Sequence, residues 1–491
     1  MKKKILGIVT MFVLCVMVLC GCFTPLNGLP NIQDSVSGNG GLVAQKGKYL
    51  YFVNGYVATS TLKEGDNKGN EMNSALYRVK LGDNGELVYN EDGELENVER
   101  VVSKIAGFDN VGIYIYDDYV YYATPVTKKD NLGTILFNLT EICRVKLDGS
   151  NNEVLYTTTN ASDNTTWAVY KLKDGNNTKT VLAVYDGKNV FSKVIGGKTY
   201  TLAENVTSAV LPKVTDYVYN TSANEEMGYA YYTRDAKEDE ISYGNVLARC
   251  SLLGGEEEIL QRDGINTYEA VDFVDNRYTR TVGNNEVLYA GTLYVTVKNA
   301  TVSDSTAMYH EYMLYSNSAK EIFNTQIAED RQLSYLSYSK ILFPEYEGTY
   351  SRGAIAQDSN GKIVWIKYNA TSVDYVSFTG MDTETLTLLS VKGDFAYVSD
   401  SANKIYRINY KTGDRLCVLN YDEEINGVDK AVLTMKNNID MDEDHIYFFR
   451  TFKGNDGDTG DYLVRANTVD NCYNVELVGE LETAHKYVEP E

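Results

Sequence analysis

Hydrophobic and polar positions alternate with a period of two along most of the chain, in short bursts such as Tyr119-Val120-Tyr121-Tyr122. That period puts successive side chains on opposite faces of an extended strand. Turn signals separate the bursts: Asn84-Gly85, Asp92-Gly93, Asp148-Gly149, Asp174-Gly175, Asp186-Gly187, Asp263-Gly264 and Asn360-Gly361. Such dipeptides tolerate positive φ and close tight hairpins. Helical periodicity is nearly absent, its best candidate being the short stretch Ile327 to Leu336. The pattern predicts an all-β chain.

One arrangement recurs. Tyr119-Val120-Tyr121-Tyr122 is followed by Ile142-Cys143-Arg144-Val145-Lys146-Leu147-Asp148-Gly149, then by Glu153-Val154-Leu155-Tyr156. Tyr49-Leu50-Tyr51-Phe52 precedes Leu76-Tyr77-Arg78-Val79, and Tyr229-Ala230-Tyr231-Tyr232 precedes Leu247-Ala248-Arg249-Cys250. The tightest copy joins Phe395-Ala396-Tyr397-Val398 to Ile405-Tyr406-Arg407-Ile408. The last joins His445-Ile446-Tyr447-Phe448 to Tyr462-Leu463-Val464-Arg465. Each reads as an alternating strand, a hairpin of variable length, a second strand with a central Arg, a Gly turn and a third apolar strand. With the weakly apolar stretch before each Tyr pair, the unit holds the four strands of one β-propeller blade.

Three further stretches divide the same way with degraded motifs: Thr166 to Leu202, Tyr268 to Phe323 and Leu333 to Phe378. The chain is therefore expected to form a single β-propeller of eight blades averaging roughly 50–55 residues. Seven is the alternative, turning on the degraded copies. Radial stacking follows from burial. A four-stranded meander has two faces to cover and cannot cover them alone, whereas blades stacked around an axis cover one another.

Tyr397-Val398-Ser399-Asp400, Ile405-Tyr406-Arg407 and Thr412-Gly413, with the partial copy Tyr231-Tyr232-Thr233, carry a family likeness. They resemble the bacterial domain of unknown function related to the propeller of low-density-lipoprotein receptors, whose repeats carry Tyr-Trp-Thr-Asp. No unit here has the Trp, and the receptor propellers have six blades. The resemblance implies blade type, and a role in protein contacts.

The amino terminus has a different pattern. Met1-Lys2-Lys3-Lys4 leads into an apolar run from Ile5 to Leu19, the layout of a secretory signal and too short for a comfortable membrane span. Leu19-Cys20-Gly21-Cys22 resembles the bacterial lipobox, with Cys20 in place of the commoner Ala or Ser. The resemblance implies cleavage after residue 21 and acylation of Cys22. Residues 22–41, rich in Gly, Pro, Asn and Ser, read as a flexible tether. The propeller is expected over 42–485, with a tail at 486–491.

Composition narrows the partners. A net charge of −22 excludes a phosphate-backbone binder, which needs basic patches. It also disfavours docking on anionic lipid, which leaves the anchoring to the acyl group. The 41 Tyr and only 6 Pro suit strands. Cys143, Cys250 and Cys417 occupy hydrophobe positions on repeat strands and, with Cys472, show no metal-ligand spacing; they are expected as buried thiols.

Candidate chemistry is sparse. His310, His445 and His485 share no motif, and Ser162 to Trp167 is a turn before a strand. Gly454 to Asp461 carries three carboxylates that offer oxygen ligands to calcium, but it fails EF-hand spacing and reads as a Gly/Asp hairpin loop. The recurring Arg78, Arg144, Arg249, Arg407 and Arg465 are expected to be structural, packing over aromatic rings or bridging to a neighbouring blade's acid. No catalytic, cofactor-binding or metal-binding residue is expected, and Cys22 is the one site residue.

The expected function is a lipid-anchored extracytoplasmic module on the cell membrane, non-enzymatic, that binds a protein or glycan with loops and exposed Tyr at the channel ends. The alternative is a carbohydrate-active enzyme with a carboxylate pair in the channel mouth.

Overall fold

The computed structural model describes residues 26–478 with interruptions, the longest at 57–73, 213–227, 376–385 and 420–434; residues 1–25 and 479–491 lie outside the described part. The described residues form eight antiparallel sheets in chain order, here I to VIII, over 36–105, 114–157, 166–203, 206–261, 266–334, 338–375, 387–419 and 435–477. Each is a meander in which consecutive strands pair. Sheet I gains a fifth strand at its start, and sheet V gains a short hairpin strand, Tyr278–Val282, on its long strand Asn285–Asn299.

The turn chemistry follows the sequence. Gly85, Gly149, Gly187, Gly264 and Gly361 all take positive φ between 71° and 83°, where only Gly escapes a Cβ penalty. Strand faces alternate weakly because both are covered: Tyr49 to Val53 are buried without exception.

Covering comes from the next sheet. One apolar core joins Tyr447 and Phe449 of sheet VIII, most of sheet I, and Val120 and Tyr122 of sheet II. A second runs through sheets II, III and IV, and others bridge IV to V, V to VI and VI to VII. Strands of VII also lie against strands of VIII. Sheet VIII thus returns to sheet I, where the Tyr56 and Phe449 rings lie 5.3 Å apart. The fold is an all-β propeller, closed because no sheet has a covered face without its neighbours.

Seams between sheets are also pinned by side-chain amides. Asn39 Oδ1 accepts from Ile115 N at 2.6 Å, and Asn245 pairs with both backbone groups of Tyr268 at 2.7 and 2.8 Å. Gln357 Oε1 accepts from Leu388 N at 3.1 Å. In each case the amide completes hydrogen bonds that the first strand of a sheet cannot make within its own sheet.

Two expectations are corrected. Ile327–Ser334, the best helical candidate, is the last strand of sheet V, pairing with Met308–Tyr315; long-range pairing overrides weak local periodicity, and the only helical turn among the described residues is Lys320–Phe323. The fifth unit therefore ends at residue 334 rather than 323, and the sixth begins at 338 rather than 333. The expected tether is, over its described part 26–41, docked on the propeller: Val36–Ser37 pairs with Gln45 and Lys46, and Gly41 bridges to Ile113.

Candidate functional site

The recurring Arg supplies the most conspicuous chemistry, and its register explains it. Arg78 lies opposite Tyr51 on one side and Glu99 on the other. Arg144 lies between Tyr121 and Glu153, Arg249 between Tyr231 and Glu258, and Arg465 between Tyr447 and Glu476. The motif is a cross-strand Tyr–Arg–Glu triad on the second, third and fourth strands of a sheet. Arg407 keeps Tyr397 but faces Leu416, so sheet VII lacks the acid.

Four of these guanidinium groups also cover the ring two residues before that Tyr. Arg78 stands 4.8 Å from the Tyr49 centroid, Arg144 4.1 Å from Tyr119, Arg249 4.2 Å from Tyr229 and Arg407 4.5 Å from Phe395. Arg78 and Arg249 are fully buried, and their Nε atoms donate to Glu99 at 3.0 Å and to Glu258 at 2.9 Å. Arg144 pairs with Glu153. The acid therefore comes from the same sheet, not from a neighbouring blade. What crosses the seam is a hydrogen bond to backbone: Arg78 donates to Leu147 O at 3.3 Å, and Arg465 to Gly85 O at 3.2 Å. Burial pushes the Tyr51 and Tyr121 hydroxyls up to about 12, opposed by the facing Arg. These residues cross-link the strands that frame the ring.

Sheet V holds a triad that sequence reading missed. Tyr294 lies opposite Glu311, and Glu311 opposite Arg331, so the two charges have exchanged strands. Tyr294 donates to Glu311 Oε1 at 3.0 Å, and Arg331 bonds the other oxygen. A search for charge of either sign opposite a strand Tyr would have found it.

A second polar cluster closes the loop between the middle strands of sheet IV. Arg234 donates to Glu240 at 2.7 and 2.8 Å and to Glu257 at 2.8 and 2.6 Å, and Tyr232 donates to Glu257 at 2.9 Å. Two carboxylates share one guanidinium, which draws the Glu240 carboxyl down to about 2. A glycosidic pair needs one carboxyl raised to act as acid. This cluster holds its acids ionised and clamps a loop.

Cys22, His485, Cys472 and Asp456 lie outside the described residues. Asp461 is on the strand Thr459–Asn467, opposite Thr451, and the rest of the acidic stretch, 454–458 with Asp458, lies outside the described residues. Cys143 and Cys250 are buried on strands, and burial pushes the Cys250 thiol up to about 11. Cys417 is half-buried. His310 Nδ1 lies 2.7 Å from the exposed Asp330 Oδ1, while its Nε2 is buried. Among the described residues, every Tyr of known burial is buried or half-buried. The described Tyr therefore serve packing, where strand propensity and ring size place them, and the Tyr of 213–227, 345–352 and 420–434 lie outside the described residues. Connections between second and third strands vary in length, from the tight turn at 186–189 to residues 54–74, of which 57–73 lie outside the described residues. Among the described residues no helix is long and apolar enough to cross a membrane, and no group of three His, Cys, Asp or Glu gathers as metal ligands.

No family model and no curated protein matches the chain. Among solved structures it is similar to the β-propeller domain of the Trilobed protease from Pyrococcus furiosus, at 8% identity and TM-score 0.36, covering 75% of this chain and 96% of that one. It is similar to AztD from Citrobacter koseri, at 11% identity and TM-score 0.31, covering 88% and 97%. A third likeness is oligogalacturonate lyase from Vibrio parahaemolyticus, at 10% identity and TM-score 0.34, covering 90% and 92%. Likeness this distant carries no functional weight, and the fold rests on the chain's own sheet order and closure.

Proposed function

We propose that this chain is an extracytoplasmic lipoprotein, held on the cell membrane by an acylated Cys22, whose propeller is a non-enzymatic binding or scaffold module for a protein or glycan partner. The observation behind this reading is the triad: the recurrent polar chemistry ties strands of the same sheet together, and the connections between those strands vary in length. A fold of this kind acts through the sites grafted on those loops. The likeness of residues 397–400 to Tyr-Trp-Thr-Asp repeats points the same way, toward protein contact.

The test is capture from envelope extract and on a glycan array with the acyl-free form, residues 23–491, beside a variant whose 236–244 and 300–307 loops are replaced by short turns. A partner retained by the first and lost by the second supports the reading. Capture indifferent to the loops, or turnover of a polysaccharide, refutes it. Mass spectrometry of the mature amino terminus tests the anchor: an unmodified Cys22 refutes it.

A further inference from the structure

The described segment 26–41 lies along sheets I and II as a strap. Leu26 packs on the core shared by sheets VIII, I and II. Asn27 N donates to Glu99 Oε1 at 2.6 Å, and Arg78 donates to the carbonyls of Asn27 and Gly28 at 3.2 and 2.9 Å. Lys46, itself buried, donates to Ile32 O at 3.2 Å and Asp34 O at 3.0 Å. Farther along, Gly40 N donates to Ile113 O at 2.6 Å, and Asn39 pairs with Ile115. The first sheet's triad Arg and a buried Lys thus hold the strap by its backbone.

The strap keeps its backbone inward and two apolar side chains outward. Leu29 is 55% exposed and Ile32 67% exposed, while Pro30 between them is buried. Buried cations gripping main-chain carbonyls fix these side chains in place, three residues apart, with Asn31 between them. The position along the chain says what covers them. Leu26 is four residue steps from Cys22, a reach of at most about 14 Å. Leu29 and Ile32 follow directly.

We infer that Leu29 and Ile32 are a lipid contact: the strap lays this edge of the propeller on the bilayer and fixes its orientation, so that the ring does not swing on a tether. The inference rests on acylation of Cys22 and adds the geometry. An acyl group alone holds a protein at the surface in any attitude. A rigid strap ending within a few residues of the lipid, with two apolar side chains beside it, selects one. Amphipathic contacts of this size sit at the headgroup boundary, where apolar side chains leave water without crossing the membrane. The two residues lie beside the core of sheet I, whereas the exposed Val302 of sheet V and Ile265 before it belong to the other side of the ring order.

The test uses the full chain, made in a host that acylates lipoproteins and placed in phosphatidylcholine vesicles with brominated acyl chains. Leu29→Trp and Ile32→Trp are each compared with Val302→Trp, with wild-type fluorescence from Trp167 and Trp365 subtracted. Loss of strap-Trp fluorescence with Val302→Trp unchanged supports the inference. Equal quenching at all three sites, or none at the strap, overturns it, since the patch then faces solvent or a protein. Should both Trp variants misfold, amide exchange of the unsubstituted chain at 29–33 decides: protection on vesicles beyond that of the acyl-free form supports the contact, and equal exchange overturns it. The mass of the amino-terminal peptide reports acylation separately. An acylated protein with no strap quenching sinks the orientation alone, and an unacylated one sinks the reading beneath it.

Discussion

Replacing Arg249 by Met is the sharpest probe of the ring's frame. Met preserves most of the aliphatic stem and removes the charge, so the cavity component stays small. Three interactions go: the stack 4.2 Å over Tyr229, the 2.9 Å bond to Glu258, and the charge facing Tyr231. A desolvated cation–π contact contributes up to about 2 kcal/mol, and a charged hydrogen bond about 1.5–3 kcal/mol. Glu258 keeps 17% of its side chain exposed and so recovers some hydration, which sets the expected loss near 3 kcal/mol rather than at the upper end for a broken buried pair. Arg407→Met is the internal control. It loses the stack over Phe395 at 4.5 Å, but Arg407 faces Leu416 and has no acid across the strand. Its expected loss is about 1 kcal/mol. For a ring of this size each kcal/mol lowers Tm by roughly 1 °C. Calorimetry should show a fall of about 3 °C for Arg249→Met and about 1 °C for Arg407→Met. Glu258→Gln completes a double-mutant cycle with a coupling above about 1 kcal/mol. Equal shifts for the two Arg variants, or additive effects at 249 and 258, would refute the triad as an energetic unit.

Three other perturbations follow from the same geometry. Exchanging the charges of sheet V, Glu311→Arg with Arg331→Glu, restores the order of the other triads; the double variant should melt above either single variant, each of which buries like charges together, and a double variant melting below both refutes the exchange. Glu240, with its carboxyl held near 2 by Arg234, contributes stability that is present above the ordinary carboxylate range and lost as pH falls toward 2. The gap in Tm between wild type and Glu240→Gln should therefore be steady from pH 5 to neutrality and close in acid, and a gap that widens in acid contradicts the assignment. The Cys250 thiol, pushed up to about 11 by burial, should resist maleimide at pH 8 in the folded protein and react on unfolding, as read by intact mass.

The propeller was legible because its burial rule is local: sheets covered on both faces need strands such as Tyr119 to Tyr122, and Gly at positive φ, as at Gly149, marks where they turn. The Arg was legible as a repeated letter. Its partner was not, although Glu99, Glu153, Glu258 and Glu476 stand in the sequence, because the acid follows the Arg by nine residues in sheets II and IV but by 21 in sheet I and 11 in sheet VIII. Register alone brings them opposite, and register is a property of the paired strands. Sheet V shows the limit more clearly. Its triad conserves opposite charge across the strands but not which strand carries which, so a pattern keyed to Arg passes over Glu311.

The strap failed to show in the sequence for a related reason. Residues 26–41 have the composition of a linker because they are held by their backbone: the carbonyls of Asn27, Gly28, Ile32 and Asp34 are the groups that Arg78 and Lys46 bind. A carbonyl is carried by every residue, so composition is silent about it, and the informative residues are the two buried cations on sheet I. Arg78 joins both halves of the chemistry. In sheet IV the corresponding Arg249 turns its terminal Nη2 to Glu258, 2.9 Å from Oε2, whereas in sheet I the same position also receives the strap. One repeated structural residue, on the first sheet of the chain, has become the hold for the segment 26–41 that precedes it. Orientation of the ring is therefore expected to depend on Arg78 in a way it does not depend on Arg249, even where the two variants lose the same stability.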